Sequence, residues 1–189
     1  MRRLLSTGWR RRRLSGEDPG WALWTRPKGD SRDVGETHKL YISPMLDDVR
    51  PVFQAVMPSV TESEAIGFKV GAELPDLLRP DKLVVYFASR AELFRVAGVL
   101  APRLAAFEPH GVPFTCPFGD GGMLSWGIDP PGRTDQSWRS WLVLKLAHAM
   151  TDTEPDRGLQ AALERARALG LDPVSWEPTG VDWERDGPD

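Results

Sequence analysis

Apolar and polar residues first fall into a regular order at HKLYIS (38–43), where Leu40 and Ile42 alternate with Lys39, Tyr41 and Ser43. A period of two marks a half-buried strand, and Pro44 closes it. Asp47 and Asp48 open a segment whose Val49, Val52, Phe53, Val56 and Met57 share one helical face, with Pro51 in its first turn. AIGFKV (65–70) predicts a second short strand and Ala72–Leu78 a brief helix. Arg79-Pro80-Asp81 turns the chain into KLVVYF (82–87), a β-branched and aromatic run that predicts a central strand. Leu93, Val96, Ala97, Leu100 and Leu104 mark one face of a helix expected over Ala91–Phe107, kinked at Pro102. GVPFTCPF (111–118) and MLSWGI (123–128) flank Gly119-Asp120-Gly121-Gly122, a composition that predicts a hairpin. Two helices follow, Ser137–Met150 with Ser137 as N-cap and Pro155–Leu169 stopped by Gly170.

The two ends lack such order. Residues 1–36 are basic, then rich in Gly, Pro, Trp and Asp, and are expected to form a largely irregular arm that Trp21 and Trp24 pin to the body. An α+β body is expected over 37–172, and a polar tail over 173–189 with Trp176 and Trp183 as its apolar exceptions. Strands alternate with helices and then pair as a hairpin. The expected fold class is therefore α+β: a single domain with one mixed, mostly antiparallel sheet and helices packed on it.

Composition narrows the function. At 189 residues, 41% hydrophobic and 27% charged, the chain fits one globular domain and excludes fibrous or wholly disordered classes. No run approaches the roughly 20 apolar residues of a membrane helix. The start, MRRLLSTGWRRRRLSG, offers only Leu4-Leu5 where an export signal needs roughly 7–15 apolar residues. With Cys116 as its one cysteine, the chain is expected in the reducing cytoplasm. Six of the 24 lysines and arginines crowd into residues 1–13 without an acid among them, leaving 18 basic against 27 acidic side chains elsewhere. A body that acidic does not hold a nucleic-acid backbone, so no nucleic-acid partner is expected, nor a membrane.

Arginines number 19 and lysines five: Lys28, Lys39, Lys69, Lys82 and Lys145. In a chain that writes its positive charge as arginine, a retained lysine points to chemistry that needs a deprotonable amine. Phosphate loops, metal-spaced Cys or His pairs and nucleophile elbows are absent, so no metal or organic cofactor is expected. His38, His110 and His148 are scattered, Cys116 reads as an inert core thiol, and Asp120 and Asp129 are what turns select. Lys39 and Tyr41 leave one face of their strand, as do Lys82, Val84 and Tyr86 of theirs. Lys69 lies opposite Phe68 and Val70, and Arg79 stands before the central strand. If these faces coincide, Lys39, Tyr41, Lys69, Arg79 and Tyr86 make a basic, hydroxyl-lined patch. The bland alternative is a solvated sheet face with snorkelling lysines.

HKLYIS, FKVG, RPDKLVVYF and GVPFTCPFGDG, in that order, resemble the motifs of the bacterial phosphothreonine lyases, and still more the type III effectors of the HopA kind. The resemblance spans roughly residues 38–150. It implies the lyase fold for the body, and relatives of both groups occur in pathways to lanthipeptides and thioamitides. It also implies carbon–oxygen lyase activity on a phosphorylated Ser or Thr of a peptide, leaving a dehydroamino acid. Lys69 matches the lysine that takes the α-proton, and Tyr41 the position of a histidine that protonates the departing phosphate. Lys39, Arg79, Tyr86 and Asp120 match pocket positions; Lys82 and Arg139, from the SWRSW helix start, complete the expected phosphate-binding set. Three positions depart from the pattern: Tyr41 replaces histidine, Ala88 a lysine, and Gly127 an arginine. Tyrosine, with a reference pKa of about 10, is a slow acid unless cations assist it.

The expected partners are a phosphorylated peptide and a kinase or other maturation enzyme. The alternative is a catalytically inactive lyase-like protein that binds a peptide or partner, for which Trp126, Trp138 and Trp141 would offer an apolar docking surface unless they fill the core.

Overall fold

The computed structural model describes residues 8–12, 20–27, 37–130 and 136–179, which adopt an α+β fold with one sheet and packed helices. By chain contacts they fall into two compact units, Met1–Pro113 with Pro117–Trp126, and Phe114–Cys116 with Gly127–Asp189. Seven strands form the sheet: β1 Arg10–Arg12, β2 Trp21–Thr25, β3 His38–Ile42, β4 Gly67–Gly71, β5 Leu83–Phe87, β6 Cys116–Pro117 and β7 Leu124–Ile128. Their order is β1-β2-β4-β5-β3-β7-β6, so KLVVYF supplies the central strand, as its composition predicts. The pairs β1–β2, β2–β4, β4–β5 and β5–β3 are all antiparallel.

In the first unit the alternation of each strand separates two faces. Trp24, Phe68, Val85 and Leu40 stand in one cross-strand row. Phe68, Val85 and Leu40 are wholly enclosed, and the Phe68 ring meets Trp9, Trp24 and Phe53. Helix α1 (Val49–Glu62) brings Val52, Phe53, Val56, Met57 and Val60 to the core, the stripe its periodicity predicts. A short helix α2 (Leu74–Leu77) follows β4, within the seven residues Ala72–Leu78 expected to form one. Helix α3 (Arg90–Leu104) buries Leu93, Val96, Ala97, Leu100 and Leu104, with the Ser89 hydroxyl accepting from the Glu92 amide as its N-cap. It ends three residues before the predicted limit, with Pro102 in its last turn, where the ring removes the bond to the carbonyl four residues back and the helix soon stops.

The N-terminal arm is corrected by the structure: within the stretch read as irregular, β1 and β2 are strands of the sheet. No local period announces them, because what makes them strands is pairing with β4, which lies far along the chain. Arg26, just past β2, fixes the arrangement. Its guanidinium donates to the carbonyls of Thr61, Ser63 and Ala65 at 2.7, 2.7 and 2.8 Å, where α1 ends, and lies over the Trp9 ring at 4.7 Å. A cation there meets the orphan carbonyls and the negative end of the helix dipole. Trp24 does pin this segment to the core; Trp21 points to the opposite face. Lys28 lies outside the described residues.

The predicted strand at 111–118 shortens to Cys116–Pro117, since Pro113 and a left-handed Phe114 (φ 61°) interrupt extended backbone. In the second unit α4 (Trp138–Thr151) begins at the predicted N-cap, the Ser137 hydroxyl accepting from the Ser140 amide. A 3-10 turn at Pro155–Arg157 leads into α5 (Gly158–Ala168), and Gly170, at φ 72°, takes the left-handed position after it. The segment read as the start of a tail is tied down, with Trp176 edge-on to Phe114 at 5.1 Å and Leu171 bridging Pro178. Trp183 lies outside the described residues.

Candidate active site

The face of the sheet opposite Phe68 carries the titratable side chains. Lys69 on β4 and Tyr41 on β3 are both paired to Val84 of β5, so Lys69, Val84 and Tyr41 form one row across three strands. Two strand spacings put the outer Cα atoms about 10 Å apart, within reach of a long amine and a phenol converging on one small molecule. The next row is Gly67, Tyr86 and Lys39. Gly67 has no side chain to hold the Tyr86 ring away; a Cβ there would lie 3.8 Å from the ring and 3.0 Å from the Trp24 carbonyl oxygen. The expected patch of Lys39, Tyr41, Lys69 and Tyr86 thus exists on one face. Tyr41 is only 3% exposed, Lys39 is buried, and Lys69 and Tyr86 are half-buried, which departs from a solvated face of snorkelling lysines.

Arg79 joins them through a residue that the sequence reading placed elsewhere. Trp21 of β2 is paired to Gly71, on the same face as Lys69. The Lys69 ammonium nitrogen lies 4.0 Å from the centre of the indole, and the Arg79 guanidinium carbon 5.1 Å from it. Arg79 is oriented by Asp81, donating from Nε and Nη2 to the two carboxylate oxygens at 3.2 and 3.3 Å. WALWT, apolar at its first four positions, has no alternation to assign Trp21 a side, and the sequence does not name its partner strand.

Lys82 is wholly enclosed, its Nζ donating to the Pro44 carbonyl at 2.7 Å and meeting His110 Nδ1 at 2.9 Å. An ammonium has only donors to offer, so Nδ1 accepts. Burial pushes the Lys82 amine below its ordinary value, against the opposing pull of Asp81. Both contacts are to the scaffold, Pro44 before α1 and His110 after α3. Asp120 is exposed in the turn before β7, and Ala88 is exposed just past β5. Arg139 sits half-buried in the first turn of α4, in the second unit. There, too, the departure at Gly127 has a steric counterpart: a Cβ at 127 would stand 3.2 Å from the Trp138 ring, so a side chain there would require the indole to give by a few tenths of an ångström. Trp126, Trp138 and Trp141 are all buried, which removes the docking surface they were credited with. Among the described residues no group of three His, Cys, Asp or Glu could hold a metal, and no helix is long and apolar enough to cross a membrane.

No protein-family model matches the sequence, and a comparison with curated proteins finds no match. Solved structures do match. The effector protein from Pseudomonas syringae pv. tomato strain DC3000 is similar with a TM-score of 0.59 at 16% identity, over 86% of this chain and 64% of that one. The effector protein from Pseudomonas syringae pv. syringae strain 61 gives 0.54 at 13% identity, over 83% and 62%. The Salmonella plasmid virulence C protein gives 0.51 at 15% identity, over 69% of each chain. At these identities the likeness is one of fold, and the chain spans less than two thirds of the length of either Pseudomonas effector. The shared architecture is α+β, with helices on a largely antiparallel sheet.

Proposed function

We propose that the protein is a carbon–oxygen lyase that eliminates phosphate from a phosphorylated Ser or Thr of a peptide, in the maturation of a ribosomally made peptide in the cytoplasm. The observation that carries the reading is the row Lys69–Val84–Tyr41, with Lys39 and Tyr86 in the neighbouring row of the same face. In its amine form Lys69 takes the α-proton; the Cα–H electron pair becomes the Cα=Cβ bond as the Cβ–O bond breaks. The phosphate leaves with that bonding pair and takes a proton from the Tyr41 hydroxyl. Lys39 and Arg79 supply positive charge where the leaving group gathers negative charge, the form of electrostatic help that lowers such barriers. Dehydroalanine or dehydrobutyrine remains in the peptide. The reading calls for a kinase acting beforehand on the same peptide.

The test is mass spectrometry of phosphoserine and phosphothreonine peptides incubated with the protein. Loss of phosphoric acid is expected from the wild type, and a rate at least about 100-fold lower from Lys69→Ala, the usual scale for a lost general base. Undiminished loss in Lys69→Ala would overturn the role given to Lys69. A second reading, a lyase-like phosphopeptide-binding protein without chemistry, draws on the ion pair that already engages Arg79 with Asp81. It predicts wild-type binding of phosphopeptide with no loss of phosphoric acid.

A further inference from the structure

We propose that Trp21 is a positioning residue for Lys69, so that the N-terminal strand β2 completes the site; the proposal rests on the elimination reading for its meaning in catalysis, and on geometry for the contact itself. Trp21 and Lys69 are diagonal neighbours on one face, because Trp21 pairs with Gly71 and Leu23 with Lys69. A glycine opposite Trp21 leaves the indole unobstructed. A side chain at 71 would also be turned away by α2, since its Cβ would fall 2.9 Å from the Asp76 carbonyl carbon. The ring is buried, and the Lys69 ammonium rests 4.0 Å from its centre, well inside the distance at which a cation is attracted by the ring quadrupole.

Two consequences follow for a lysine that must act as a base. The ring confines a side chain with four rotatable bonds and holds its ammonium on the β2 side of β4. It also stabilises the ammonium that proton abstraction creates, and by the same attraction holds the free amine back at neutral pH. Arg79, on the same ring at 5.1 Å, opposes that hold by like-charge repulsion, tempered by its own pairing with Asp81. Other titratable groups on or beside this face are Lys39 and Tyr41 of β3, Tyr86 of β5 with Lys82 just before that strand, and Asp76 of α2, which lies against Gly71 and Gly20. Lys69 thus sits between an aromatic ring that favours its charge and neighbouring cations that disfavour it.

The experiment is a titration of protein labelled with ¹³C at the lysine Cε. With five lysines in the chain, the Lys69 signal can be assigned by its loss in Lys69→Arg. In Trp21→Leu the Lys69 pKa is expected to fall by about 0.4–1.5 units, the equivalent of one cation–π contact. Trp21→Phe, which keeps a weaker quadrupole, should fall between. In the elimination assay the acid limb of kcat/KM should move down by the same amount in Trp21→Leu, while the plateau drops as Lys69 loses its direction. A Lys69 titration unmoved in both variants overturns the proposal, even if activity falls. If the wild type eliminates nothing from any phosphopeptide while the titration still shifts, the elimination reading fails and the Trp21–Lys69 contact stands. Should Trp21→Leu fail to fold, Trp21→Phe carries the titration.

Discussion

Phe68 and Lys69 are neighbours on β4, and they face opposite sides of the same sheet. On the side of Phe68 the row Trp24, Phe68, Val85 and Leu40 is apolar throughout and closed off beneath α1 and α3. Across from it, Lys69, Val84 and Tyr41 make a row with charge at one end and a phenol at the other. The first face needs only volume and apolarity, which many side chains supply. The second gains nothing from Lys39 and Lys69 as packing, yet a chain of 19 arginines and five lysines sets two of the five there. One side of the sheet is explained by folding; the other asks for chemistry.

Substitution should separate the two sides. The largest effect is expected from Phe68→Ala, which leaves a cavity among Trp9, Trp24 and Phe53 and should cost about 3–5 kcal/mol. Urea denaturation measures it, with an unchanged slope as the sign that stability alone has moved. Lys69→Met, one residue away, should cost under about 1 kcal/mol, since it gives up one cation–π contact and little packing. Equal costs at the two positions would erase the distinction.

Lys82 is the position where the two sides meet. By residue type and spacing it belongs with the site, yet it is enclosed and bonded to Pro44 and His110. Lys82→Met should destabilise by about 1–3 kcal/mol through the carbonyl it leaves unpaired. The elimination rate should hold if its role is confined to the scaffold. A large loss of activity with unchanged stability would return Lys82 to the phosphate-binding set.

The central strand, the stripes of α1 and α3 and the N-cap at Ser137 follow from local order, and so the sequence alone announces them. Lys69, Tyr41, Lys39 and Tyr86 share a face because period-two alternation survives in each strand, although the register that aligns them is a long-range property. What local order could not announce is pairing. The strand β2 has no period of its own, and with it Trp21 and the Arg26 cap on α1 went unseen. The enclosure of Lys82 is hidden for a related reason: alternation gives a side, but what surrounds its ammonium depends on Pro44 and His110, brought there by other elements.

A small effect that depends on pH tests how the apolar side is fastened. Glu92, in the first turn of α3, accepts from Arg95 Nε and Nη2 at 2.7 Å each and from the Glu64 amide at 3.0 Å, tying the helix start to the segment before β4. The Arg95 hydrogen bonds and then the Glu64 amide hold its carboxyl at about 2, below the usual 4.5, against the opposing effect of burial. Between those values the unfolded chain binds more protons than the native one. The contribution to stability is therefore complete above about pH 4.5 and is lost as pH falls through about 2. Because Arg95 is largely exposed, solvent screens the pair, and Glu92→Gln should cost only about 1 kcal/mol at pH 7. The difference between wild type and variant, read from denaturation at a series of pH values, should shrink towards zero at the acid end. A gap that stayed constant down to pH 2 would mean that the carboxylate's charge does not fasten α3, and that the apolar face is held by packing alone.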